Sequence, residues 1–283
     1  MQFLMMLLVS FSLFATTKKE VVYGEDNRVD VYASTQSAYV EYSRATAAMV
    51  PNILLHATGK ETIIRSASLT ERGICADQKF AAQPTAARCS GFLISENVLV
   101  TAGHCIRNDA DCKINRWIFD YKIDHADQVK VKVPNKSVFT CKKILGRMFE
   151  ENDGTDYAVI ELTKKVTDRR PLTFRKSGKI EPGTSLVVIG HPSGLPTKIA
   201  DGAKVRSVND KFFVADLDTF GGNSGSAVIN TKTGEVEGIL VRGETDYIDN
   251  EARGCKEVNT CLQDDCRGED VQDITHVTVI QTP

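Results

Sequence analysis

Gly221-Gly222-Asn223-Ser224-Gly225-Ser226 decides how this chain is read. A serine wedged among small residues predicts a tight turn that pushes one hydroxyl outward and aims backbone amides into a pocket. Glycine permits both the unusual dihedrals and the close approach. A free serine hydroxyl is a weak nucleophile, so Ser224 would need a base, and the base an orienting group. The plainer reading is a Gly-Asn-Ser turn joining two strands. The rest of the chain has to choose between them.

Upstream, Thr101-Ala102-Gly103-His104-Cys105 follows an apolar strand. Small residues leave room for His104 at the strand end, and an imidazole titrates near neutrality. Cys89 lies 16 residues before Cys105. A Cys89–Cys105 bridge would close the loop that bears the histidine, stabilising it by roughly 3 kcal/mol on loop entropy. Asp156-Tyr157-Ala158-Val159-Ile160-Glu161-Leu162 offers a carboxylate at the start of another apolar strand. A buried aspartate holding an imidazole N–H fixes the tautomer and stabilises the imidazolium. Asp156 taken alone fits a strand-capping or turn role equally well.

Composition narrows the class. The 283 residues suffice for one large domain or a two-barrel unit. Lys and Arg number 35 against 37 Asp and Glu, a net charge of -2. Such balance argues against a nucleic-acid or anionic-membrane partner, which would favour basic clustering. Short Val/Ile-rich runs recur between Gly, Pro and Asn turns, and no long helical periodicity occurs. This is the pattern of an all-β chain. An even eight cysteines, with no Cys-x-x-Cys pair, predict disulfides and an oxidising compartment. Three of them, Cys255, Cys261 and Cys266, cluster in the tail, so full pairing within one chain requires at least one to reach back to the body.

The N-terminal run Phe3 to Ala15 is apolar and too short to span a bilayer comfortably. It is read as a signal peptide (residues 1-15) cut near Ala15 to Thr17, although it lacks the usual Lys or Arg. A buried N-terminal segment or an anchor is the alternative. The expected product is secreted, extracellular or periplasmic. Residues 16-74 are then an N-terminal arm or propeptide and the start of a first barrel. Within them Val21 to Tyr23 is β-like, and Ser37 to Val50 is a candidate helix stopped by Pro51. Strands are expected at Glu61 to Arg65, Cys89 to Ser95, Val98 to Thr101, Val129 to Val133, Tyr157 to Leu162, Ser185 to Ile189, Lys204 to Ser207, Phe212 to Ala215, Ser226 to Asn230, Val236 to Val241 and His276 to Ile280. The acidic pairs Asp264-Asp265 and Glu269-Asp270 read as a solvated face; their spacing matches no calcium loop.

The three motifs, in the order His, Asp, Ser, resemble those of a chymotrypsin-fold (trypsin-like) serine endopeptidase, and that chain order separates them from subtilisins and α/β-hydrolases. The likeness covers about Cys75 to Val241. Ala215 to Ser224, Ile189-Gly190-His191-Pro192 and Asp26-Asn27-Arg28 are similar to the bacterial branch near the glutamyl endopeptidases. The resemblance implies two antiparallel six-stranded β-barrels with the site between them, the first over 75-167 and the second with a disulfide-tied tail over 171-283. It implies a catalytic triad of His104, Asp156 and Ser224, an oxyanion hole of the Gly222 and Ser224 N–H groups, protein or peptide substrates, a monomer, and neither cofactor nor metal. In the animal digestive branch an aspartate precedes the nucleophile and pairs with a freed N-terminal amine. Asn223 stands there in this chain, so that ion pair is excluded as a control of activity.

The implied specificity is in conflict. Glutamyl endopeptidases carry a histidine in the strand after the nucleophile, where this chain has Leu240, shortly before Gly243. Asp218, six residues before Ser224, occupies the offset that forms the floor of a trypsin-like pocket, and Thr219 adds a hydroxyl. A carboxylate there would attract Arg or Lys by a charge-assisted hydrogen bond. Substrate-binding roles are therefore expected for Asp218, Thr219, Leu240 and Gly243, with cleavage after Arg or Lys. The competing arrangement pairs Asp218 with Arg242 or the backbone and leaves a closed or apolar pocket. The alternative functions are a glutamyl-specific endopeptidase and a non-catalytic homologue that binds proteins through the same cleft.

Overall fold

A computed structural model describes residues 22–150, 154–261 and 266–281. The expected signal peptide and the Asp264-Asp265 pair lie outside the described residues. Antiparallel sheets dominate. The first orders Val138–Phe139, Asn115–Phe119, Thr46–Pro51, Cys89–Ser95, Val98–Thr101, Thr155–Leu162 and Cys141–Glu150. It curls into a half-barrel. Among the described residues no strand ladder joins its two edges, Val138–Phe139 and Cys141–Glu150, which follow one another in the chain; the Cys112–Cys141 disulfide ties the helix Asp109–Ile114 to the second of them. The second sheet orders Ser185–Gly190, Ala227–Asn230, Val236–Arg242, Glu269–Asp273, Phe212–Ala215 and Lys198–Val208, and the last pairs with the first to close a six-strand barrel. Arg28–Asp30 of the N-terminal arm adds to the outside of Lys198–Val208.

Alternation along the strands explains how the barrels pack. Leu186 and Val188 fill the closed barrel, whereas Val187 and Ile189 face the half-barrel and merge with its core around Trp117, Phe119 and Val159. Period-two burial on both faces of one strand is the expected result when a sheet is covered on each side. Thr46–Pro51 shows it most clearly. Ala47 and Met49 join the main core, and Ala48 and Val50 join a second cluster under the small sheet of Leu55–Thr58, Glu61–Ile64 and Val131–Pro134.

Two elements differ from expectation. The helix near the N-terminus stops at Arg44 (Ser37–Arg44), and Thr46–Pro51 is a strand. With both faces buried, that strand lacks alternation and reads as a continuation of the helix. His276 to Ile280 is not a strand but the end of a 3-10 turn (Ile274–His276) and a short helix (Thr278–Gln281). Its buried residues, Ile274, Val277 and Ile280, recur every third position, and Val279 is exposed.

All eight cysteines are paired: Cys75–Cys255, Cys89–Cys105, Cys112–Cys141 and Cys261–Cys266. Cys255 is thus the tail cysteine that reaches back, across 180 residues. Closing so long a loop constrains the unfolded chain by about 5 kcal/mol in the loop-entropy account. Replacing both Cys75 and Cys255 with serine is expected to lower the non-reducing denaturant midpoint substantially. An unchanged midpoint would show that the bridge contributes nothing to equilibrium stability. Among the described residues no helix is long and apolar enough to cross a membrane.

Candidate active site

The hairpin Cys89–Ser95/Val98–Thr101 delivers His104 to the seam between the barrels. Its backbone turns at once, with the Cys105 N–H donating to the Ala102 carbonyl at 3.1 Å, and the Cys89–Cys105 disulfide ties the turn to the hairpin's first strand. His104 meets Asp156 twice. Its backbone N–H donates to Oδ1 at 3.0 Å, and Nδ1 donates to Oδ2 at 2.7 Å. The Asp156 side chain is buried and that of His104 is one-third exposed. A carboxylate accepting the Nδ1 proton leaves Nε2 unprotonated and open to accept another. The Phe149 ring stands edge-on to the imidazole at 6.3 Å.

Sequence reasoning missed the next partner. Gln272, on the closed barrel's strand Glu269–Asp273, accepts the Asp156 N–H at 2.9 Å through Oε1. Its Nε2 donates to the Lys211 and Asp273 carbonyls. The orienting carboxylate of one barrel is thereby anchored by the other. Nothing local in a Val-Gln-Asp strand signals this contact, which spans 116 residues.

The Gly221-to-Ser226 turn lies against the same seam. A Cβ on Gly225 would stand 2.1 Å from the Ser90 carbonyl and 2.3 Å from Thr101 Oγ1, so the turn fits only because none is present. The Ser224 carbonyl accepts the Ser90 N–H at 2.8 Å and lies 3.7 Å from Cys105 Sγ, one residue from His104. Gly222 has φ +99, and a Cβ there would meet the His191 carbonyl at 2.6 Å. Both demands select glycine. Among the described residues no internal hydrogen bond occupies the Gly222 N–H, the Ser224 N–H or the Ser224 hydroxyl. Two open amides beside an open hydroxyl can hold a developing oxyanion. Catalytic hydrogen bonds are often completed only once substrate is present. Asn223 is buried and accepts from the Ser226 hydroxyl at 3.2 Å.

A cavity of about 300 Å³ opens beside Ser224, lined by Thr219, Leu240, Gly243, Glu244, Asp246 and Glu269 among others. Of the expected substrate-binding residues, Thr219, Leu240 and Gly243 line it. Asp218 does not. Its carboxylate accepts the backbone N–H groups of Tyr23 at 2.9 Å and Asn27 at 2.8 Å. The N-terminal arm, held parallel to Thr260–Cys261 through Val22–Tyr23, satisfies that carboxylate. The expected floor residue is a latch for the arm. Arg28 of the arm also stacks over the Phe220 ring at 3.9 Å on the cavity wall.

The Glu269-Asp270 pair is a second correction. It is not a solvated face: both side chains are buried within a central strand. Asp270 is neutralised by Arg242 and Arg267. Glu269 instead faces the cavity, accepting from the Thr219 hydroxyl at 2.8 Å and the Tyr23 hydroxyl at 3.3 Å. Burial pushes its carboxyl up to about 8, and burial likewise pushes Asp246 up to about 6. Among the described residues neither carboxylate forms an ion pair, although the more distant Arg28 guanidinium offsets part of the burial at Asp246; Glu244 is paired with Arg267. A narrow cavity holding two uncompensated carboxyl groups favours a cation.

The other histidines stand apart. His191 is fully buried, donating Nδ1–H to the Leu195 carbonyl at 3.0 Å, and burial pushes it down to about 3. It stays neutral and shapes the wall behind Gly222. His56 and His125 are exposed.

Residues 89–239, more than half of the chain, match the family model of the trypsin-like peptidase domain. No curated protein matches. The fold is similar to that of a Glu endopeptidase in complex with MPD, with a TM-score of 0.51 and 17% identity over 92% of this chain and 97% of that one. It is also similar to Rv3671c from M. tuberculosis, an inactive serine-to-alanine mutant, at TM-score 0.47 and 12% identity over 86% of this chain and 88% of that one.

Proposed function

The chain belongs to the trypsin-like peptidase domain family and is a serine protease, and on that premise we propose that it is a secreted endopeptidase cleaving after Arg or Lys through Ser224, His104 and Asp156. His104 Nε2 takes the Ser224 proton as Oγ attacks the peptide carbonyl. The Gly222 and Ser224 amides hold the oxyanion. His104 returns the proton to the departing amine, and the acyl-enzyme is then cleared by water along the same route. Asp156 keeps the imidazole in the required tautomer. Gln272 acts through Asp156 as a positioning residue.

The observation that carries the basic preference is the pair of unmatched carboxyl groups, Glu269 and Asp246, in the cavity next to Ser224. A guanidinium or ammonium entering it would draw these carboxyl groups into their ionised form and pair with them. This basis differs from the one expected in the sequence, since Asp218 is engaged elsewhere. A glutamyl preference would need a free cation at this depth; Arg242, on the same lining, is paired with Asp270, and Leu240 stands at the position expected from the sequence for the histidine of glutamyl endopeptidases. Four disulfides are consistent with export to the extracellular or periplasmic space. The test is a cleavage profile on a peptide library. Arg and Lys should dominate the position before the cut; strong cleavage after Glu with none after Arg would discard the assignment.

A further inference from the structure

A second cavity, of about 550 Å³, lies on the far side of Gly221 and Gly222 from the specificity pocket. Where the first is acidic, this one is rimmed by Arg72, Arg88 and Lys256. The bases converge from three distant stretches of chain. Arg88 immediately precedes the Cys89–Cys105 bridge, and its backbone N–H donates to the Met49 carbonyl at 2.9 Å. Arg72 donates to the Ser193 carbonyl at 3.2 Å. Lys256 is held against the Arg72 turn by two backbone hydrogen bonds, Cys75 N–H to Lys256 O and Lys256 N–H to Gly73 O, both 2.9 Å, and by the Cys75–Cys255 disulfide beside them.

Their charges are largely unspent. All three side chains are exposed. Among the described residues Arg72 and Arg88 have no carboxylate partner, and Lys256 has only the exposed Asp249 at 3.7 Å. Asp246 is the one acidic group on this cavity's lining. Its carboxylate accepts the Gly221 N–H at 2.8 Å and also lines the specificity pocket, so it sits on the boundary between the two. Leu54, Leu69 and Ile74 supply an apolar floor.

A peptide whose carbonyl rests on the Gly222 and Ser224 amides has its acyl side in the pocket beside Leu240 and Gly243. The segment after the scissile bond must then leave past Gly222, over the basic cavity. We propose that this protease selects substrates with acidic side chains, Asp or Glu, in the first few positions after the cut, giving a basic-then-acidic recognition sequence. The inference rests on the peptidase function proposed above and adds the substrate class of its leaving side. Charge complementarity of this kind favours the right partner and penalises the wrong one more than it deepens affinity.

Internally quenched peptides test it. They share whichever residue the library profile selects before the cut, so an error in the Arg/Lys assignment does not disturb the comparison. They differ in the second and third positions after it: Asp and Glu, Asn and Gln, or Lys. At low salt kcat/KM should be roughly 5- to 10-fold higher for the acidic peptide than for the amide one, and lowest for the Lys peptide. The preference should shrink to roughly 2-fold near 1 M NaCl. The Arg72→Glu/Arg88→Glu variant should invert the order, a ratio that needs no assumption about its absolute rate. Equal rates for acidic and amide peptides, or a preference unchanged in that variant, overturn the inference. An ester with the same acyl residue separates the two levels. Ester turnover without the acidic preference overturns only the leaving-side inference; no ester turnover overturns the peptidase function, and this with it.

Discussion

Replacing Ser224 with alanine is expected to lower kcat by roughly 10⁶-fold, with the fold intact. The loss is that large because the hydroxyl, the imidazole and the carboxylate act as one unit, so removing the nucleophile idles the other two. The residual rate, roughly 10³-fold above water, would come from the oxyanion amides and substrate binding. Ser224 is half-buried and hydrogen-bonded only through its backbone, so the substitution removes a single free oxygen atom from the cavity wall. Circular dichroism should be unchanged and labelling by a fluorophosphonate probe abolished. Activity within tenfold of the native protein would show that another group is the nucleophile.

Glu269→Gln is expected to lower kcat/KM about 100-fold for substrates with Arg or Lys before the cut and to leave neutral residues there nearly unaffected. The amide retains the shape and can still accept from the Thr219 hydroxyl, so the change isolates the charge. The same group predicts a pH dependence. Burial holds the Glu269 carboxyl up to about 8 in the empty pocket, so near neutrality it is mostly protonated. A cationic side chain is best met by the ionised form. Cleavage after Arg or Lys should therefore rise as pH increases through about 8, beyond whatever rise a neutral substrate shows. In Glu269→Gln the two profiles should coincide. If Arg and neutral substrates already share one profile in the native protein, Glu269 does not receive the cation.

The three members of the proposed triad stand out in the sequence because each carries a signal in its immediate neighbours: a histidine between small residues and a cysteine, an aspartate opening an apolar strand, a serine among glycines. The hairpin Cys89–Ser95/Val98–Thr101 was legible in its limits because apolar strands flank a polar Glu96-Asn97 turn. Thr46–Pro51 was not, since burial on both faces erases the alternation that distinguishes a strand. The place of Asp218 was misread for a different reason. Asp218 stands at a suggestive offset from Ser224, but offset says nothing about the arm that claims its carboxylate from 195 residues away. Glu269, beside another acid, looks like surface until the strands on either side are known. The Cys75–Cys255 bridge and the basic cavity it builds are likewise products of topology. No local pattern joins residues 72, 88 and 256.

The cavity beside Ser224 and its supports draw on nearly the whole length of the polypeptide. Tyr23 donates to Glu269, a lining residue, across 246 residues. A chain still emerging from the ribosome holds Ser224 before it holds Glu269. Recognition of a cationic side chain at Glu269, as proposed, would thus become possible only after the last barrel strand has arrived and the first residues have folded back onto it.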